Sequence, residues 1–298
     1  MGEKAKIWIG IALSLILVGG LVFVIIMSAN GWDFSKMGAS KLERNVHVVT
    51  EEFDGISVET NTADVNILSS QNGECRVECY EKASAKHSVF VRDGKLTVQI
   101  EDNGKWYEDV WSFGTPTITI YLPLSQYSTL RVDGITGDVE LSQGFRFGSM
   151  DIKLTTGDIE CKASADSMSL KVTTGDIELD NVTADVLDVD FTTGETELNN
   201  VTCETLKIKG TTGGADLHRV VAHGSMSVEL STGDVSLKLC DGGEISIKTT
   251  TGSVVGSFAT DKVIFANSDT GRVDVPRLTT GGRCEISTTT GDIRITIG

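Results

Sequence analysis

From about residue 130 to the C-terminus, short runs of alternating apolar and polar residues recur at a fixed interval around a single turn. Taking the glycine of each copy as origin gives Gly137, Gly157, Gly175, Gly194, Gly213, Gly233, Gly252, Gly271 and Gly291, spaced 18 to 20 residues apart. Seven residues before it stand Leu130, Met150, Met168, Leu187, Leu206, Met226, Ile245, Ile264 and Cys284, all apolar. Five before it the column reads Val132, Ile152, Leu170, Val189, Ile208, Val228, Ile247, Ala266 and Ile286. Alternation resumes two and four residues after the glycine, as in Ile159 and Cys161, or Ile177 and Leu179. Period two on both sides predicts two short strands per copy, joined at Thr-Gly, with one face buried. Strands of four or five residues cannot bury that face alone. Stacked as parallel rungs about 4.8 Å apart, the copies turn each column into a continuous core. The pattern predicts an all-β fold, a single-stranded parallel β-solenoid (β-helix) of about 19-residue rungs. Antiparallel hairpins are the alternative, but they favour two-residue Asn-Gly or Asp-Gly turns and give no reason for identical columns.

The residue before every glycine is threonine, so Thr156-Gly157, Thr174-Gly175 and Thr193-Gly194 belong to a structural turn ladder. Stacked hydroxyls are expected to bond to one another and to backbone, while glycine supplies the backbone angles of the corner. A catalytic threonine would be singular; this one is periodic.

The rest of the chain divides by its patterning. Residues 1–6 carry Lys4 and Lys6, and residues 7–27 follow as 21 residues without a charge. At about 1.5 Å per residue this run crosses a bilayer as one transmembrane helix. It is long for a signal-peptide core, and Met27-Ser28-Ala29 is not a clean cleavage site, which favours an uncleaved anchor. The lysines place the N-terminus inside, making a single-pass protein of the cell membrane with an extracytoplasmic C-terminal domain. Residues 28–45 form a polar linker. Residues 46–128 are an irregular β region and N-terminal cap that contains a first rung, Ile56 to Ile67, with Ala63 in the glycine position. Further strands are expected around Cys75 to Tyr80, Ser88 to Val91, Leu96 to Ile100 and Thr117 to Leu122, with Asp93-Gly94 as a hairpin turn. Residues 129–298 are the repeat solenoid.

A formal charge of −16 argues against a nucleic-acid partner and for attraction to cations or cationic peptides. The acids concentrate in two columns. Asp138, Asp158, Asp176 and Glu195 directly follow the glycine, and Glu140, Glu160, Glu178 and Glu197 stand three residues after it on the same outward face. Stacked carboxylates repel by roughly 1 kcal/mol per pair in water-like surroundings, so a bridging Ca²⁺ would help. The competing reading has the aspartates capping turn amides and the glutamates solvated. Trp106, Tyr107, Trp111 and Phe113 form an aromatic cluster in a chain with 6% aromatic residues. They serve either as a ligand platform or as a plug for the solenoid's end. Cys75 and Cys79 share one strand beyond disulfide reach, Cys161 and Cys284 fall in different inward columns, and Cys203 and Cys240 read as turn residues, so free thiols are expected. No Cys-x2-Cys zinc spacing occurs, and no elbow, phosphate-loop, dinucleotide or His-Glu-x-x-His signature suggests an enzyme or a cofactor.

Asn61-Thr62-Ala63-Asp64-Val65, Leu96-Thr97-Val98 after Asp93-Gly94, Ile118 to Pro123 and the Thr-Thr-Gly-Asp-Ile series together resemble the bacterial putative-adhesin or "toastrack" family, a domain of unknown function with LiaG-like envelope members. The resemblance spans about residues 46 to 298. It implies a membrane-tethered, extracytoplasmic β-helical module of the cell envelope, with no catalytic residues to carry over. Expected partners are the membrane, through residues 7–27, and a cell-wall polymer, cationic peptide or envelope membrane protein. The expected function is a non-catalytic binding, sensory or adhesin-like module; the alternative is a scaffold that self-associates through the solenoid ends, since Asp292 to Ile297 forms a last rung without a visible cap.

Overall fold

A computed structural model describes residues 18–21, 23–24, 28, 42–82, 85–101 and 114–298. The residues described before position 42 are helical, and no helix among the described residues is long and apolar enough to cross a membrane. Most of the expected 7–27 span and the aromatic cluster at 106–113 lie outside the described residues.

The first strands are β1 (Glu43–Val49), β2 (Gly55–Thr60), β3 (Asp64–Ser69), β4 (Cys75–Glu81), β5 (His87–Arg92), β6 (Lys95–Ile100) and β7 (Thr117–Leu122). The regular rungs follow as pairs of one long and one short strand. They are β8 (Gln126–Thr136) with β9 (Val139–Leu141), β10 (Arg146–Thr156) with β11 (Ile159–Cys161), and β12 (Ser164–Thr174) with β13 (Ile177–Asp180). Next come β14 (Thr183–Thr193) with β15 (Thr196–Asn199), and β16 (Thr202–Thr212) with β17 (Ala215–His218). Then β18 (Val221–Thr232) precedes β19 (Val235–Thr251), which runs through a corner into the next rung and is followed by β20 (Val254–Phe258). The last strands are β21 (Lys262–Thr270), β22 (Val273–Asp274), β23 (Gly282–Thr290) and β24 (Ile293–Ile297).

Long strands pair in parallel with long and short with short, so Met150 sits between Leu130 and Met168, and Ile159 between Val139 and Ile177. The expected columns are the core. At the corner the glycine has a φ of 142° at Gly175, and a Cβ there would come within 2.0 Å of the Gly157 carbonyl oxygen. Only glycine lets adjacent rungs approach this closely in that conformation.

The regular rungs from β10 to β17 have a third apolar side beyond the two expected strands. Within β10, Phe147 and Met150 both point inward although three residues apart, so the long strand turns a corner at Gly148 and Ser149. Phe145 and Phe147, Ala163 and Ala165, Val182 and Ala184, and Val201 and Cys203 stack as this side. Cys203 and Cys240 therefore lie inside the core rather than in turns, and all six cysteines are free and buried.

At both ends, spatial order departs from chain order. β2 and β3 lie between β8/β9 on one side and β6/β7 on the other. At the far end β23 and β24 insert between the β19/β20 rung and β21/β22. The C-terminal strand is thus interior, and the open rung is β21/β22, which corrects the expectation that Asp292 to Ile297 forms the free edge. Its inward positions report this: Ile264, Ala266 and Val275 are only partly buried, and Val273 is exposed. Lys262 locks the inserted rung. It is buried, passes Gly282, and its Nζ reaches the Asp241 carboxylate, the Gly242 carbonyl (2.9 Å) and the Thr260 hydroxyl (3.0 Å). Burial pushes the Asp241 carboxyl up, but hydrogen bonds from Lys262, Thr260 and the Gly242 amide, with the Lys262 charge, more than offset it and hold the group below its usual range.

The N-terminal end is capped by antiparallel strands: β1 pairs with β4, β4 with β7, and β5 with β6 through the expected Asp93-Gly94 turn, both of whose residues have positive φ.

Candidate binding face

The glycine corner turns the following backbone amide toward the neighbouring rung, where the equivalent carboxylate receives it. Asp138 N donates to Asp64 Oδ1 (3.0 Å), Asp158 N to Asp138 (2.9 Å), Asp176 N to Asp158 (2.7 Å) and Glu195 N to Asp176 (2.6 Å). The series ends at Glu195: among the described residues its side chain accepts no bond from Gly214 N, and Gly214 has no carboxylate to offer Asp234. It resumes with Ser253 N to Asp234 (2.7 Å), Asp292 N to Ser253 Oγ (3.2 Å) and Arg272 N to Asp292 (2.8 Å). This last sequence follows the inserted order of rungs. The aspartates are cross-rung caps.

Glu140, Glu160, Glu178 and Glu197 are successive partners along the short-strand sheet. Lys162 pairs with Glu160, and Asn199 donates to Glu197 at 2.8 Å. Among the described residues these carboxylates form no group of three converging on one point. The threonine column is in register and exposed, but its hydroxyls make no hydrogen bond to one another among the described residues; the aspartates carry the ladder instead.

The long-strand sheet presents the other polar face. Asp133, Lys153, Lys171, Asp190, Lys209, Glu229 and Lys248 are successive partners across the rungs, so both signs of charge mix along one column. Lys209 lies 4.0 Å from Glu229, and Lys207 lies 3.9 Å from Asp188 in the neighbouring column. Two open grooves run in series here. One of about 470 Å³ is lined by Lys153, Lys171, Thr173, Asp190 and Thr192, and one of about 590 Å³ by Asp190, Lys209, Thr211, Glu229 and Lys248. They share Asp190. Gly134 lines the first and Gly210 the second; a Cβ on Gly210 would lie 2.3 Å from the Phe191 ring, so that ring already fills the space beside it.

The sequence reading missed a buried polar cluster in the cap. Cys79, Glu81 and His87 are 0%, 1% and 6% exposed, and one ligand-capable atom of each lies within 4.8 Å of the others. Glu81 Oε2 accepts the His87 backbone N–H (2.7 Å) and contacts His87 Nδ1 at 2.8 Å; Glu81 Oε1 accepts from Asn45 Nδ2 at 2.6 Å. His87 Nε2 lies 3.3 Å from the Thr60 hydroxyl. Burial, with the Glu81 charge beside it, pushes the Cys79 thiol up to about 12. The available signal was a glutamate at an inward position of a strand, two residues after a cysteine.

Stacked parallel rungs with a Thr-Gly corner and an antiparallel cap define a class of protein as well as a shape. The family model Toastrack DUF4097 matches residues 53–296, and the chain belongs to this family. Among solved structures it is similar to a putative adhesin from Parabacteroides distasonis, with 13% identity and a TM-score of 0.50 over 85% of this chain and 97% of that one. It is equally similar to a putative lipid binding protein from the same organism, with 13% identity and a TM-score of 0.51 over the same shares. At this identity they establish the fold alone. No curated protein matches.

Proposed function

We propose that this chain is a non-catalytic binding module of the cell envelope, anchored by residues 7–27, whose long-strand face holds an extended, repetitive polymer such as a wall glycan. The observation that carries the reading is the pair of grooves in series over successive rungs, with lysines, acids and threonine hydroxyls repeating along them. Each rung offers a weak polar contact, and a polymer crossing several rungs adds them as effective concentration. The putative adhesin named above fits a surface-binding role. Cosedimentation of the full chain with isolated envelope polymer tests it. Lys153→Glu/Lys171→Glu should weaken retention at least about tenfold, the effect of losing roughly 1.4 kcal/mol. Glu160→Lys/Glu178→Lys, on the other sheet, should leave retention unchanged; equal effects from both pairs would refute the face assignment.

A second reading, a scaffold assembled through solenoid ends, is favoured by the open rung. Among the described residues β21 pairs only with β23 and β22 only with β24, and Phe265 and Val273 are 58% and 40% exposed. Sedimentation of the full chain across a concentration series distinguishes it. Assembly abolished by Phe265→Lys would support the scaffold, and a monomer at all concentrations would exclude it.

A further inference from the structure

We propose that Cys79, Glu81 and His87 form a binding site for a divalent transition ion of zinc's class, which fastens the two sheets of the solenoid together at the N-terminal cap. The three residues offer thiolate, carboxylate and imidazole, the donor set that suits zinc. Cys79 and Glu81 lie two apart on the inward face of β4, which pairs with β1 and β7, whereas His87 opens β5, which pairs with β6. An ion held by all three ties one sheet to the other where the regular rungs end.

Charge, hydration and the surrounding hydrogen bonds support the assignment. A dication with one thiolate and one carboxylate sums to zero, which suits a buried site, and binding releases the Cys79 proton. The partners of the ligands have the arrangement of outer-shell groups around a metal. Asn45 holds the free oxygen of Glu81, and Thr60 meets the second ring nitrogen of His87. His87 enters through Nδ1, which already faces Glu81, and Nε2 remains for the Thr60 hydroxyl. The Cys79 sulfur is buried and makes no hydrogen bond among the described residues, so it is the polar atom in the cluster without a protein partner. Three protein ligands leave a fourth position to water.

The test is metal analysis and cobalt substitution on the full purified chain. The expected result is stoichiometric zinc after dialysis, and a cobalt form with tetrahedral visible bands and thiolate charge transfer. Chelation should lower the melting midpoint by several degrees, and zinc should restore it. Cys79→Ala should abolish the charge-transfer band, Glu81→Gln should weaken binding at least about tenfold, and Cys75→Ala, a buried thiol on the same strand, should change neither. Should Cys79→Ala not fold, the wild-type metal content and cobalt spectrum decide alone. A wild-type chain without stoichiometric metal and without thiolate charge transfer, or a band that survives Cys79→Ala, would overturn the proposal and leave Glu81 and His87 as a buried hydrogen-bonded pair.

Discussion

Thr196 occupies an inward column that is apolar in every other rung, and its hydroxyl is buried without a partner. An unmet hydroxyl costs about 1 to 3 kcal/mol, and valine has nearly the same shape. Thr196→Val should therefore raise stability by roughly 1 kcal/mol, read as a higher urea midpoint with an unchanged slope. The corner glycines make the opposite case. Gly175→Ala forces a Cβ against the Gly157 carbonyl at positive φ, and it should cost at least about 2 kcal/mol. Gly214→Ala, whose nearest neighbour would be 3.4 Å away and whose φ is not positive, should be mild by the same urea titration. The acid ladder is distinguished by a pair of substitutions. Asp158→Ala should lose about 1 kcal/mol with its cap, while Asp158→Asn, which keeps the acceptor, should lose much less. A calcium site would respond in reverse, with Asn abolishing a calcium-dependent rise in melting temperature.

At the scale of elements, the rungs were legible because the side-chain period of a strand and the 18 to 20 residue spacing both point to the same stack. The third side was not, since Phe145 and Phe147 lie across a corner where the alternation breaks, and a break reads as loop. The inserted last rung was also hidden, because nothing in the Cys284 to Ile297 columns differs from an interior rung. Its counterpart did carry a mark. Pro276 follows Val275 in the β21/β22 rung, and proline, lacking an amide donor, belongs to an edge rather than a central strand. Of the candidate site, the outward lysines and acids were readable from alternation, whereas the cap cluster depends on β4 and β5 meeting across the two sheets. Lys262 sets the pH response of the inserted rung. Because the folded Asp241 pKa lies below its unfolded value, its contribution is present above the unfolded carboxylate pKa and lost as pH falls through the folded one. Lys262→Met should lower stability at neutral pH and flatten its decline on acidification, as measured by chemical denaturation across that range.

At the scale of the molecule, an N-terminal cap continues into a stack of rungs whose two polar faces differ. The short-strand sheet carries its glutamates in one column, while the long-strand sheet mixes lysine, aspartate and threonine over the grooves. Fractionation tests the anchor: the full chain should partition with membranes, and a chain beginning at residue 28 should be released. The proposed binding face makes a different demand. Rungs repeat about every 4.8 Å, so affinity gained rung by rung depends on how many of them a ligand spans. The decisive measurement is the affinity of the full chain for a length series of one envelope polymer. Affinity should climb with each added unit until the ligand covers both grooves, and then level off. Equal affinity for a single unit and for the longest chain would mean one local pocket, and would contradict a repeating face as the seat of binding.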